Sequence, residues 1–315
     1  MGVGRRRVGS KTLETYEEAI KDLVYSDGRF IIMTAENRAA IRDLPAWIGE
    51  RFIDVGICEQ TMIGAAAGLA LRGRIPIVHA LATFLTLRAF EFIRTDVGIP
   101  GLPVKLVGSF SGFISEANGP THQALEDIAL MRGIPNINLW CPADEQDMLI
   151  GLKTILTDPA PYYFRYNNSA PVVEHSQDFK PGKAEVFWSL GADVTILTYG
   201  MIFGQCYKAA EILGNQGLSV GLVNLRTLKP IDTEVIVAAA RRSALLVAIE
   251  DHFKIGGVYS IIAETLLEHG VNARTLSIAL DGCWFKPALM ADLLEYEGFT
   301  AEALARRITE RLAQI

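Results

Sequence analysis

Arg51-Phe52-Ile53-Asp54-Val55-Gly56-Ile57-Cys58-Glu59-Gln60 runs straight into Thr61-Met62-Ile63-Gly64-Ala65-Ala66-Ala67-Gly68-Leu69-Ala70-Leu71. The first part reads as an apolar strand over 52–57, and the second as a helix over 59–71 that begins just after Gly56. Glu59 falls in the first turn of that helix, where the positive end of the helix dipole favours a carboxylate. The small side chains behind it allow another helix to approach closely. Taken alone, Glu59 reads more readily as a first-turn glutamate stabilising its own helix.

The same alternation extends outward on both sides. Strands are expected at 30–35, 75–80, 104–110, 137–141 and 162–166, with helices at 86–97, 121–131 and 145–156. Strand–helix repetition of this kind predicts an α/β fold, a parallel sheet flanked by helices, with ligands held beyond the carboxyl ends of the strands. Residues 167–191 are polar and aperiodic, with Pro171, Pro181 and Gly182. The expected division is a first domain over 12–170, a linker over 171–191 and a second, smaller α/β domain over 192–315. Residues 1–11, with three consecutive arginines and no apolar run after them, read as a flexible basic tail.

Composition limits the partners. A chain of 315 residues has room for two cores, and a net charge of −6 without a Lys/Arg-rich face argues against nucleic acid. The most apolar region, 62–87, is broken by Arg72, Gly73 and Arg74, so no membrane span is expected. Cys58, Cys141, Cys206 and Cys283 form no CxxC pair and read as reduced, buried thiols of a cytoplasmic protein.

A second stretch bears chemistry: Asn118-Gly119-Pro120-Thr121-His122-Gln123. Gly-Pro makes a turn, and Thr121 suits the N-cap of a helix that ends at Gly133. His122 would then sit at the helix start, where the dipole disfavours imidazolium and leaves a neutral ring able to donate or accept a proton. A histidine in a capping region without any ligand is an equally good reading of this segment by itself.

The ordered set 51–60, Gly64-Ala65-Ala66-Ala67-Gly68 and Gly119-Pro120-Thr121-His122-Gln123 resembles the transketolase family. More closely, the chain is similar to the C-terminal subunit of split transketolases, with a pyrimidine-binding domain followed by the transketolase C-terminal domain. By that resemblance Glu59 matches the catalytic glutamate, which bonds N1′ of the aminopyrimidine of thiamine diphosphate and so promotes loss of the thiazolium C2 proton. Phe84, with Leu81 and Gly56 nearby, matches the segment that packs against the pyrimidine; Phe84 would serve equally as ordinary core. His122 matches a histidine that contacts the donor hydroxyl and carbonyl, and Arg165 an arginine that grips a substrate phosphate. His79, ending a strand, could line the site or simply close the strand.

The chain departs from the resemblance in three places. Asn118 stands where an aspartate is usual, Phe110 where a histidine is usual, and Glu36 in the loop after the first strand where Asp and Ser are common. These changes imply an altered acceptor pocket. The family also holds Mg²⁺ and the diphosphate with Gly-Asp-Gly followed about thirty residues later by Asn. Ser26-Asp27-Gly28 and Leu280-Asp281-Gly282 do not fit that pattern. The resemblance therefore implies that an N-terminal transketolase subunit holds Mg²⁺ (or Ca²⁺) and shares the cofactor in an α2β2 heterotetramer acting on ketose and aldose substrates. The second domain, with Lys229-Pro230-Ile231-Asp232 and Glu250-Asp251-His252, is expected to serve dimerisation. Competing expectations are the β subunit of a 2-oxo acid dehydrogenase, a deoxyxylulose-phosphate-synthase-like enzyme and a non-catalytic scaffold subunit.

Overall fold

The computed structural model describes residues 7–8, 11–12, 14–114 and 117–315. The expected basic tail falls mostly outside them; Arg7–Val8 (β1) and Lys11–Thr12 (β2) pair antiparallel. Next come α1 (Tyr16–Ser26), β3 (Phe30–Thr34), α2 (Leu44–Ile48), β4 (Phe52–Asp54), α3 (Glu59–Leu71) and β5 (Ile75–Leu81). A helix follows whose short α-helical centre, α4 (Phe90–Phe92), lies between π-helical turns at Phe84–Arg88 and Ile93–Gly98. β6 (Lys105–Ser109), α5 (Asp127–Arg132), β7 (Asn138–Trp140), α6 (Glu145–Thr157) and β8 (Tyr162–Arg165) complete the first half. The second half runs β9 (Glu185–Phe187), β10 (Val194–Thr198), α7 (Phe203–Asn215), β11 (Val220–Asn224), β12 (Thr227–Lys229), α8 (Thr233–Arg242) and β13 (Leu245–Phe253). It ends with α9 (Val258–Glu268), β14 (Thr275–Leu280), α10 (Met290–Tyr296) and α11 (Ala301–Leu312).

Two sheets result. The first has seven strands in the order β12-β7-β8-β6-β5-β3-β4, parallel except for β12; the second has five in the order β14-β13-β10-β11-β9, parallel except for β9. β3 is buried at every residue and β5 at all but Leu81, the continuous apolar pattern of strands covered on both faces. One side of the first sheet packs on α3 through Met62, Ile63, Ala66, Ala67 and Ala70; the other packs on α1 and α6 through Tyr16, Ile20, Val24, Met148 and Ile155. α1 starts sharply because Thr15 and Glu18 form a capping box.

Three expectations change. Part of the stretch read as a linker is built into the fold: 185–187 form β9, and His175 and Phe179 are buried. β12, from the second half, extends the first sheet by pairing with β7, so the halves share a sheet edge. Only Cys141 and Cys206 are buried; Cys58 and Cys283 are exposed. Among the described residues no helix is long and apolar enough to cross a membrane.

Candidate functional site

β4, β5 and β6 end on the same edge of the parallel sheet, and the loops leaving them carry the candidate residues. Asp54, the last residue of β4, organises the first loop. Its carboxylate accepts from the amides of Gly56 (3.0 Å) and Glu36 (3.3 Å) and pairs with Arg38. Burial opposes its charge, but Arg38 and the two amides outweigh it and hold the carboxyl below its ordinary range. Gly56 has φ +72, and a Cβ there would meet nothing within 4 Å. That conformation turns the chain into α3 and sets Glu59 in its first turn, with 2 % of its surface exposed.

Among the described residues Glu59 has one charged partner, Arg88, whose Nη1 donates to Oε2 at 2.8 Å. The Arg88 guanidinium also lies over the Phe84 ring, 4.2 Å from its centroid. Phe84 in turn meets the half-buried His122 ring edge-on, with centroids 5.4 Å apart, and Thr121 Oγ1 lies 2.8 Å from His122 Nδ1. Glu59, Arg88, Phe84 and His122 are therefore one connected group. Arg88 was not among the residues expected from sequence. Its spacing of four from Phe84 on a helical segment is the signal that could have found it.

The route by which His122 arrives differs from expectation. No helix starts at Thr121: α5 begins at Asp127, and Thr121 bonds His122 instead of capping. Two contacts keep 121–126 out of the helix. Ser111 and Ala124 form a parallel bridge, and Gln123 Nε2 donates to the Gly112 carbonyl at 3.2 Å. His122 is positioned by the turn itself, its amide donating to the Gly119 carbonyl at 3.0 Å. Asn118 is exposed on the same loop, and Phe110, half-buried with φ +56, directly follows β6 at the loop's start.

Arg165 and His79 lie elsewhere. Arg165 is 2 % exposed and its charge is met by two buried carboxylates, so it is not placed to grip a substrate phosphate. Nε and Nη2 bind both oxygens of Asp127 at 2.8 and 2.6 Å, and Nη1 binds Asp251 at 2.7 Å. His79 is buried beneath the sheet, with Nε2 2.8 Å from the Tyr16 hydroxyl. Burial pushes its imidazolium pKa down to about 4, so it is a neutral core histidine. Leu81 ends β5, half-buried. Glu36 is exposed at φ +61, and its amide is tied to Asp54.

The group fits the pyrimidine half of thiamine diphosphate. A buried carboxylate can take an in-plane hydrogen bond from the aminopyrimidine, and a neighbouring aromatic ring offers it a stacking surface. Comparison with known proteins gives the family. Residues 10–171 match the family "Transketolase, pyrimidine binding domain" and residues 182–304 match "Transketolase, C-terminal domain". The chain is 33 % identical over 306 residues to the 6-deoxy-6-sulfo-D-fructose transketolase subunit SqwH of Clostridium sp., covering 95 % of this chain and 94 % of that protein. A 1-deoxy-D-xylulose-5-phosphate synthase of Synechococcus sp. is 35 % identical over 94 % of this chain, which spans 46 % of that enzyme. Among solved structures, a split gene transketolase in an inactive beta4 tetramer superimposes with a TM-score of 0.85 at 32 % identity, covering 95 % of this chain and 97 % of that one. The chain belongs to the transketolase family of thiamine-diphosphate-dependent transferases and is built like the C-terminal subunit of its split members.

Proposed function

We propose that this chain is the pyrimidine-holding subunit of a split transketolase that moves a two-carbon ketol unit from a ketose to an aldehyde. Its partner would be a separate N-terminal subunit that holds the diphosphate with Mg²⁺ (or Ca²⁺), in an α2β2 heterotetramer. The observation that carries the proposal is the buried Glu59 carboxylate grouped with Phe84 and His122 at the sheet edge. Bound thiamine diphosphate supplies the carbon that takes up the ketol unit. Glu59 would hydrogen-bond the aminopyrimidine, Phe84 would pack on it with Leu81 and Gly56 nearby, and His122 would exchange a proton with the donor hydroxyl.

The substrate side is distinctive. With Arg165 committed to Asp127 and Asp251, and with Phe110 and Asn118 at the loop, the acceptor pocket favours less hydroxylated or unphosphorylated aldehydes, suited to a specialised pathway. The Clostridium relative, named for a sulfonated ketose, supports including such a donor in any substrate panel. The test is reconstitution. Calorimetry with Mg²⁺ should detect tight thiamine-diphosphate binding only when the partner subunit is added; micromolar binding by the isolated chain would overturn the split-enzyme reading.

A further inference from the structure

Glu59 is 2 % exposed, so a ligand can reach its carboxylate only by displacing a neighbour. The neighbour that faces solvent is Arg88, whose side chain is 38 % exposed and whose Nη1 sits 2.8 Å from Oε2. The same guanidinium covers Phe84 at 4.2 Å. A guanidinium is a planar fork of donors that binds a carboxylate edge-on while stacking on an aromatic face. An aminopyrimidine is likewise a flat nitrogenous ring that stacks and bonds in its own plane, so the two compete for one place. We propose that Arg88 is a latch that stands in for the cofactor's aminopyrimidine in the free chain and must leave Glu59 and Phe84 before the ring can enter.

The local backbone suits a side chain that moves. Arg88 closes a π-helical turn, and Ala89, at φ −103 and ψ 14, interrupts the regular helix before Phe90. Such widened turns recur at functional sites. The alternative role, Arg88 as a fixed support for Glu59, makes the opposite prediction, because its removal would then weaken ring binding. The proposal rests on the cofactor reading above, and the experiment separates the two.

The full chain would be titrated with 4-amino-5-hydroxymethyl-2-methylpyrimidine, the ring fragment without diphosphate, followed by saturation-transfer NMR. Arg88→Met keeps the apolar stem and removes the charge. It should bind the fragment about tenfold more tightly than wild type, the ratio that a part-exposed ion pair and a cation–π contact together can withhold. Adding Glu59→Gln should abolish that gain. Glu59-dependent binding that is no tighter in Arg88→Met than in wild type overturns the latch alone. Failure of the fragment to bind any of these proteins overturns the latch; the cofactor reading falls with it only if the chain reconstituted with its partner subunit also fails to bind thiamine diphosphate.

Discussion

Asp251 meets Arg165 between the two sheets, Oδ1 2.7 Å from Nη1, while Asp127 holds the opposite edge of the same guanidinium through both of its oxygens. One cation thus serves two buried carboxylates, and they fare differently. Burial raises Asp251 to about 6 despite Arg165, and its Oδ2 has no hydrogen-bond partner among the described residues, pressed against Gly112 where a Cβ would come within 1.7 Å. Burial opposes the charge of Asp127 too, but its two-pronged bond to Arg165 brings it below the ordinary carboxylate range. Removing the arginine would leave both carboxylates buried and unmatched. Arg165→Met should therefore cost about 3–5 kcal/mol in urea unfolding, and adding Asp127→Asn and Asp251→Asn should recover much of it. A loss below about 1 kcal/mol would mean that the network is unimportant to stability.

His175 predicts a pH dependence. Burial works against its charge, but Asp144 on Nε2 (2.9 Å) and Glu185 on Nδ1 (2.7 Å) prevail and raise its pKa to about 9. Unfolded, it titrates near 6.5. The folded state therefore binds this proton more tightly. The stabilisation is fully present below about pH 6.5 and is lost as pH rises through about 9. The difference in unfolding free energy between wild type and His175→Gln should shrink across that interval. A difference that stays constant from pH 6 to about 9.5 contradicts a protonated His175.

Glu59→Gln should preserve the fold, since glutamine fills the same space and can still accept a bond from Arg88. With the partner subunit and cofactor present, turnover should fall by roughly 10²–10⁴, the usual range for a positioned proton-transfer group. Exchange of the cofactor's C2 proton, followed by NMR, reads the effect directly. Wild-type exchange in the variant would assign Glu59 a structural role.

What the sequence disclosed depended on range. α3 was legible to both ends because an apolar strand, a glycine and a run of small helix formers lie consecutively over 52–71. His122 was legible as a residue but not as a helix start. Gly-Pro-Thr carries a local capping signal, and the bridge from Ser111 to Ala124 overrides it from ten residues upstream of Thr121. Arg165 was misread for the same reason at longer range: its partners are 38 residues back and 86 ahead, and no local pattern announces them. β9 was hidden because a strand of three residues, Glu185-Val186-Phe187, is too short for its period to register.

The acceptor prediction follows from what Arg165 cannot do. With its charge met by Asp127 and Asp251, it is no free cation for a phosphate. Asn118, exposed on the His122 loop, can bond a hydroxyl, but without the charge that roughly doubles the strength of such a bond. Phe110 offers an apolar ring at the loop's base, where a histidine would offer a polar one. In the reconstituted enzyme, kcat/KM should favour an unphosphorylated aldehyde over its phosphorylated counterpart. Asn118→Asp with Phe110→His should move preference toward hydroxylated acceptors more than toward phosphorylated ones, because neither change frees Arg165. Phe110 occupies φ +56, a strained conformation that histidine tolerates better than phenylalanine, so the double variant should fold. A natural preference of about a hundredfold for the sugar phosphate, equal to about 2.7 kcal/mol of transition-state discrimination, would show that another cation grips it.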